Sequence, residues 1–294
     1  MMQTNDDILF NRVRDLGYCD VLIDPSAGAP PADESLEAPS PMQTPLLDRQ
    51  FQARPAAAPR LIRLDSAYSP LLRDYLAQAH WEATTLGNQL RSVAGLIFSP
   101  LPQAELAQHL TRMLDLYIEG LGGAYFRYFD PRILCHLPRI LTPTQQALLL
   151  HGIDEWGWLD WQGAYQPLHP PNLPIDPAAR LIINQAQWQA LGEIEAFNLL
   201  LGKLMSRGRI PDHQQVPQWL ECLQQGRQRG LRQANDIADW AALCLIQGDT
   251  WQAHPQLGET LQLVITDGIP LKDALEDRLG ITLAPIPVAT DSDD

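Results

Sequence analysis

The chain has 294 residues with 35 acids against 21 lysines and arginines, a formal net charge of −14 that residues 1–175 and 176–294 share equally at −7 each. Neither half offers the clustered positive charge that nucleic acid or an anionic membrane surface demands, so both are excluded as main partners. No stretch is apolar for long enough to span a bilayer, and Met1–Asp7 has no basic region leading into an apolar one, so no membrane insertion is expected and the cytoplasm is the expected compartment.

In chain order, residues 6–16 have the pattern of an amphipathic helix, with Leu9, Val13 and Leu16 on one side and Gly17 as its stop. Tyr18–Asp24 reads as a short strand. Residues 25–59, with eight prolines among small and acidic residues, read as a loose insertion. Arg60–Asp65 is a second strand, followed by a helix capped by Ser69 with Pro70 in its first turn. Ser92–Phe98 is a third. Gln103–Gly120 carries Leu106, Leu110, Met113 and Tyr117 on one helical stripe.

Gly123–Arg132 packs four aromatic rings and two arginines into ten residues and reads as a strand running straight into a helix. Alternation would place Tyr125, Arg127 and Phe129 on one face and Phe126 and Tyr128 on the other, inside a covered sheet. A guanidinium there must be paired or stacked on a ring. Asp130 is the nearest candidate partner, with Asp24 and Asp65 as remoter ones; Asp130 can also cap the next helix, with Pro131 in first position. Thr142-Pro-Thr-Gln145 has the form of a capping box, and Trp156–Leu168 that of a tryptophan-rich hairpin whose rings are expected to pack in the core, with a ring left near the surface of the hairpin as the alternative. After the Pro-rich stretch 167–177 only helices are expected, with stripes from Trp188 to Leu204, Val216 to Leu223 and Ile237 to Cys244, and shorter helices near 256–266 and 271–279.

The expected fold class is therefore α+β: an N-terminal mixed α/β lobe with a small sheet (1–175), a C-terminal all-helical lobe (176–280) and a flexible acidic tail (281–294). Catalytic signatures are missing: there is no G-x-S-x-G, H-E-x-x-H, P-loop or G-x-G-x-x-G. Cys19, Cys135, Cys222 and Cys244 form no C-x-x-C pair and read as buried free thiols. The histidines are dispersed, so no metal and no cofactor is expected. Arg127, Asp130 and Arg132 form a candidate polar cluster at the exit of the aromatic strand, where open α/β sheets bind ligands. Five arginines, Arg207, Arg209, Arg227, Arg229 and Arg232, make a positive band in an otherwise acidic half; helix C-terminal charges and a docking surface for an acidic protein segment are both open readings.

The run Ala124-Tyr-Phe-Arg-Tyr-Phe-Asp-Pro-Arg-Ile-Leu134, then Leu137-Pro138 and Thr142-Pro-Thr-Gln-Gln146, resembles the signature of the adaptor-chaperones of bacterial type VI secretion, the Tap or Tec group. Strands like Tyr18–Asp24, Leu61–Leu64 and Val93–Ser99 and a closing Trp-rich hairpin occur in that order in the group, so the resemblance covers about residues 8–168. The Pro-rich insertion departs from it. The resemblance implies a two-lobed cytoplasmic protein, not an enzyme, that binds a toxic effector and helps load it onto the VgrG spike. The expected protein-binding residues are Tyr125, Arg127, Phe129, Asp130 and Arg132 from the first lobe and the five arginines from the second, gripping cargo in a cleft between the lobes. The rival readings are an immunity-type toxin-binding protein and a small-molecule hydrolase or transferase.

Overall fold

The computed structural model describes residues 5–28, 42–65, 70–85, 87, 89–210 and 212–282. The Ser69 cap, the middle of the Pro-rich insertion and the tail from 283 lie outside these. The chain divides into two units, residues 1–191 and 192–294. The division falls after the Pro-rich stretch rather than in it, because Leu181, Ile183 and Leu191 still pack into the first unit's core.

The first unit runs α1 (Asn5–Leu16), β1 (Cys19–Ile23), β2 (Gln43–Pro45), β3 (Arg60–Leu64), α2 (Pro70–Thr85), β4 (Val93–Phe98), α3 (Gln103–Met113), β5 (Asp115–Ile118) and β6 (Gly122–Tyr125). It continues with α4 (Pro131–Leu134), α5 (Leu137–Ile140), α6 (Pro143–Leu149), β7 (Glu155–Leu159), β8 (Tyr165–Leu168) and β9 (Ile182–Ile183). Six strands form one sheet in the order β2-β3-β1-β4-β7-β8, every neighbouring pair antiparallel. Both faces are covered, as the near-continuous apolar runs of β1 and β4 require. Cys19, Val21 and Ile23 face α1 and α2, packing with Leu9, Val13, Leu72 and Leu76. Leu22, Leu61, Ala94 and Ile97 face the other way, onto α3 and the rings of Phe126, Tyr128 and Phe129. Together with the helical second unit this is an α+β fold.

Three expectations are corrected. The insertion is not loose throughout: β2 pairs with β3, and Leu46 and Ala58 are wholly buried, so the stretch from Met42 adds an edge strand and core contacts. The expected helix Gln103–Gly120 stops at Met113, and Tyr117 lies on β5 instead, because Asp115-Leu-Tyr-Ile alternates in and out with period two. The aromatic strand stops at Tyr125 and belongs to a second sheet, β6-β5-β9, not to the large one. Tyr128 and Phe129 are adjacent and both buried in the same core cluster as Phe126, whereas a period-two strand would send the two to opposite faces. The chain turns instead, and Tyr128 Oη donates to the Leu110 carbonyl at 2.7 Å.

The Trp-rich hairpin forms as β7 and β8, with Trp156 opposite Leu168, and Trp156, Trp158 and Trp161 are all buried, as core packing of the rings requires. Two glycines make room for it. A Cβ on Gly157 would lie 1.9 Å from Tyr165 Oη, and one on Gly95 in β4, where φ is +147°, would lie 2.6 Å from the Gly157 carbonyl oxygen.

The expectation of helices alone after the Pro-rich stretch also fails at β9, which pairs in parallel with β5. Beyond it come α7 (Gln185–Met205), which crosses the division, α8 (Val216–Gln228), α9 (Ala234–Gln247), α10 (Leu257–Asp267) and α11 (Leu271–Leu279). Trp188 is exposed and the buried stripe of α7 begins at Ile194. Phe197 meets Trp219 at 5.6 Å, and Trp240 meets Trp251 edge-on at 4.7 Å. Lys203 pairs with the buried Asp239 at 2.7 Å, and Asp236 accepts the Leu271 amide at the head of α11.

Candidate functional site

The arginines and aspartates of the signature segment gather at one end of β1. That strand closes on Ile23, and Asp24, wholly buried, caps a single 3-10 turn at Pro25–Ala27 by accepting the Ser26 amide and hydroxyl. Arg127 leaves the turn that follows β6 in the direction opposite to Phe126 and Tyr128. Its Nη2 reaches Asp24 Oδ2 at 2.5 Å, and its Nη1 reaches the Ser26 hydroxyl at 3.3 Å. Asp130, the nearer partner by sequence, is 3.8 Å away and serves Arg132 instead. The Arg132 Nη2 and Nε bond the two Asp130 oxygens at 2.6 and 3.0 Å, while the Arg132 amide makes Asp130 the N-cap of α4. Asp65 is not a partner of Arg127 in the described contacts. Phe129 does not share an outward face with Arg127: its ring is buried, with the Arg127 guanidinium carbon 5.3 Å from its centre. Tyr125 is partly buried, edge-on to Phe51 at 5.8 Å, and burial pushes its phenol up to about 12.

Two carboxylates and two guanidiniums thus neutralise one another, which fixes three chain segments, residues 24–26, 127 and 130–132, in one geometry. Arg132 also forms the rim of an open groove of about 660 Å³. Ser26, Gln78, Trp81, Gln89 and Leu90 line it further, and Trp81 is half exposed. Amide groups, a guanidinium edge and one large apolar ring suit an extended peptide, whose main chain needs donors and acceptors and whose side chains need an apolar seat.

Glu82 also lines that groove and is buried. Its Oε1 accepts from Gln78 Nε2, the Ser92 amide and the Ser92 hydroxyl, and its Oε2 accepts from the Val93 amide. Through these four donors it holds the start of β4 on α2. Behind the cluster sits Arg91, buried and bonded through Nη1 to the Leu159 carbonyl, its basicity lowered by desolvation. Burial likewise pushes the Cys135 thiol up to about 12 despite Arg91 and Arg139 nearby. His109 and His136 are buried with pKa values of about 4 and about 3, chiefly from desolvation.

In the second unit four of the five arginines of the supposed band are engaged within the chain. Arg207 bonds the Lys203 carbonyl and Arg209 the Leu245 carbonyl, near the C-terminal ends of α7 and α9. Arg227 pairs with Glu193 at 2.8 Å. Arg229 bonds Gln252 and stands 5.5 Å from the Trp240 ring centre. Arg232 is exposed beyond α8. Two of these five therefore bond main-chain carbonyls near helix ends, where the helix dipole favours cations.

Sequence reasoning did not single out Trp81, Gln78, Glu82 or Arg91. Trp81 left a signal: α2 buries Leu72, Leu76, Ala79 and Ala83, and Trp81 falls off that stripe. Asp24 ranked behind Asp130 because nothing local brings the end of β1 to residue 127.

Among metal-ligating side chains, no group of three or more could hold an ion among the described residues. No helix among the described residues is long and apolar enough to cross a membrane. No curated protein and no solved structure matches the chain. Residues 21–148, from β1 to the end of α6 and including the whole ionic cluster, match a family described as a domain of unknown function (DUF4123).

Proposed function

We propose that this protein is a cytoplasmic adaptor that holds another polypeptide, a toxic effector of type VI secretion, and promotes its loading onto the VgrG spike. The observation that carries the reading is the signature segment itself: Arg127, Asp130 and Arg132 are locked to Asp24 beside an open groove with a half-exposed tryptophan. Its charges are used up internally, so the segment acts as a rigid wall, and the neighbouring Trp81, Gln78 and Gln89 supply the contact. Exposed tryptophans in such settings are frequent binding hot spots. The reading is not enzymatic. Glu82, the carboxylate in the groove, holds the Ser92 hydroxyl and the Ser92 and Val93 amides at the start of β4, and Asp24 holds Ser26 in the 3-10 turn, so both carboxylates serve to order the chain.

The test is co-purification of the intact chain with the effector and spike proteins encoded beside its gene. Recovery of both from wild type, and loss of the effector from a folded Trp81→Ala variant, is the expected result. Recovery of neither by the wild-type chain rejects the reading. Protection of a cell without the secretion apparatus would instead indicate an immunity protein.

A further inference from the structure

Helices α8 and α9 come close enough to touch through a glycine. A Cβ on Gly226 would lie 3.3 Å from three atoms of the Trp240 side chain, so the helices are in direct contact at that level. One helical turn back from Gly226 is Cys222, and one turn beyond Trp240 is Cys244. In antiparallel neighbours these two positions face each other, and their thiols hydrogen-bond to one another. Both are free and buried at 7% and 8% exposure. Gln252 Nε2 touches the Cys244 sulfur at 3.4 Å and is itself held by the exposed Asp249 and Arg229. A polar path thus leads from the surface to the pair.

We propose that Cys222 and Cys244 are a redox site, a dithiol that hydroperoxides convert into a disulfide joining α8 to α9. One of the two sulfurs, as a thiolate, attacks one peroxide oxygen and the O–O bond breaks; the other oxygen leaves as water or alcohol with a proton, and that cysteine becomes a sulfenic acid. The second thiol then loses its proton and attacks that sulfur, the S–O bond breaks and water leaves. In sum, two thiols and one hydroperoxide give one disulfide, one alcohol or water, and one further water. The closed loop contains the α8–α9 turn with Gly230, so oxidation ties down the hinge of the helix pair.

The other two cysteines are internal controls. Cys19 and Cys135 have thiols pushed up to about 12 by burial, and neither is expected to react. The intact chain is treated with hydrogen peroxide and digested without reduction. The expected result is a mass lower by two hydrogens, a single cross-link between the Cys222 and Cys244 peptides, reversal by dithiothreitol, and a melting temperature raised by several degrees. In either single serine variant, Cys222→Ser or Cys244→Ser, no cross-link should form, and a sulfenic acid on the remaining cysteine should persist and be trapped by dimedone. Absence of the 222–244 cross-link in wild type, a cross-link between chains, or oxidation of Cys19 or Cys135 first would overturn the proposal. None of these readouts depends on an effector, so this inference and the adaptor reading stand or fall separately.

Discussion

Asp24 does more to order the signature segment than the segment's own Asp130 does, since it holds Arg127 at 2.5 Å while Asp130 is spent on Arg132 and the head of α4. Removing Arg127 strands a carboxylate that is wholly buried, with only Ser26 left to bond it. Arg127→Ala should therefore lower the unfolding free energy by about 2–3 kcal/mol, somewhat below a fully buried pair because the guanidinium reaches water. Urea denaturation measures this, and an unchanged midpoint would show that the pair contributes nothing. Trp81→Ala should do the opposite, leaving stability within about 0.5 kcal/mol and weakening partner capture by tenfold or more. The need for a partner at Arg127 was legible in the sequence; the identity of the better partner was not, because Asp24 and Arg127 are brought together only by the fold. Trp81 could have been found by asking which ring lies off a helix's apolar stripe.

Elements were legible where one periodicity ran unopposed. The short runs of β1 and β3 and the Thr142–Gln145 capping box all form at the expected residues, and the box closes reciprocally, with each side chain bonding the other's amide. Thr142→Ala should cost about 1 kcal/mol by removing one half of that exchange, readable as a lowered melting temperature. Elements were misread where neighbouring rings obeyed tertiary demands instead. Phe126, Tyr128 and Phe129 all point into the core beneath α3, so the chain breaks the pleat that their spacing suggested. The hairpin β7–β8 was legible but its tolerance was not: Gly157→Ala places a methyl group against Tyr165, which Glu155 pins at 2.5 Å. That substitution should cost about 3 kcal/mol in a urea titration. A neutral result would mean that Tyr165 can leave its place freely.

Two buried neutral histidines make the stability of the whole chain pH-dependent. His109 Nε2 donates to the Leu149 carbonyl with Arg112 and His151 beside it, and His136 sits beside Arg139, so a second positive charge is unwelcome at either place. Unfolded, both rings titrate near 6.5; folded, near 4 and 3. The unfolded chain thus binds more protons below 6.5, and stability present above that pH is lost as pH falls toward these folded values. By pH 5 the loss should approach about 2 kcal/mol per histidine, visible as a falling urea midpoint from pH 7 to pH 5 that the double substitution with glutamine flattens. The strand order β2-β3-β1-β4-β7-β8 has a further consequence for how the molecule is made. Its first four strands are complete by Phe98, whereas β7 and β8 arrive only with residues 155–168. A ribosome therefore releases a four-stranded sheet whose β4 edge stays open through the synthesis of more than fifty further residues, the interval in which a nascent chain is most exposed to pairing with a stranger.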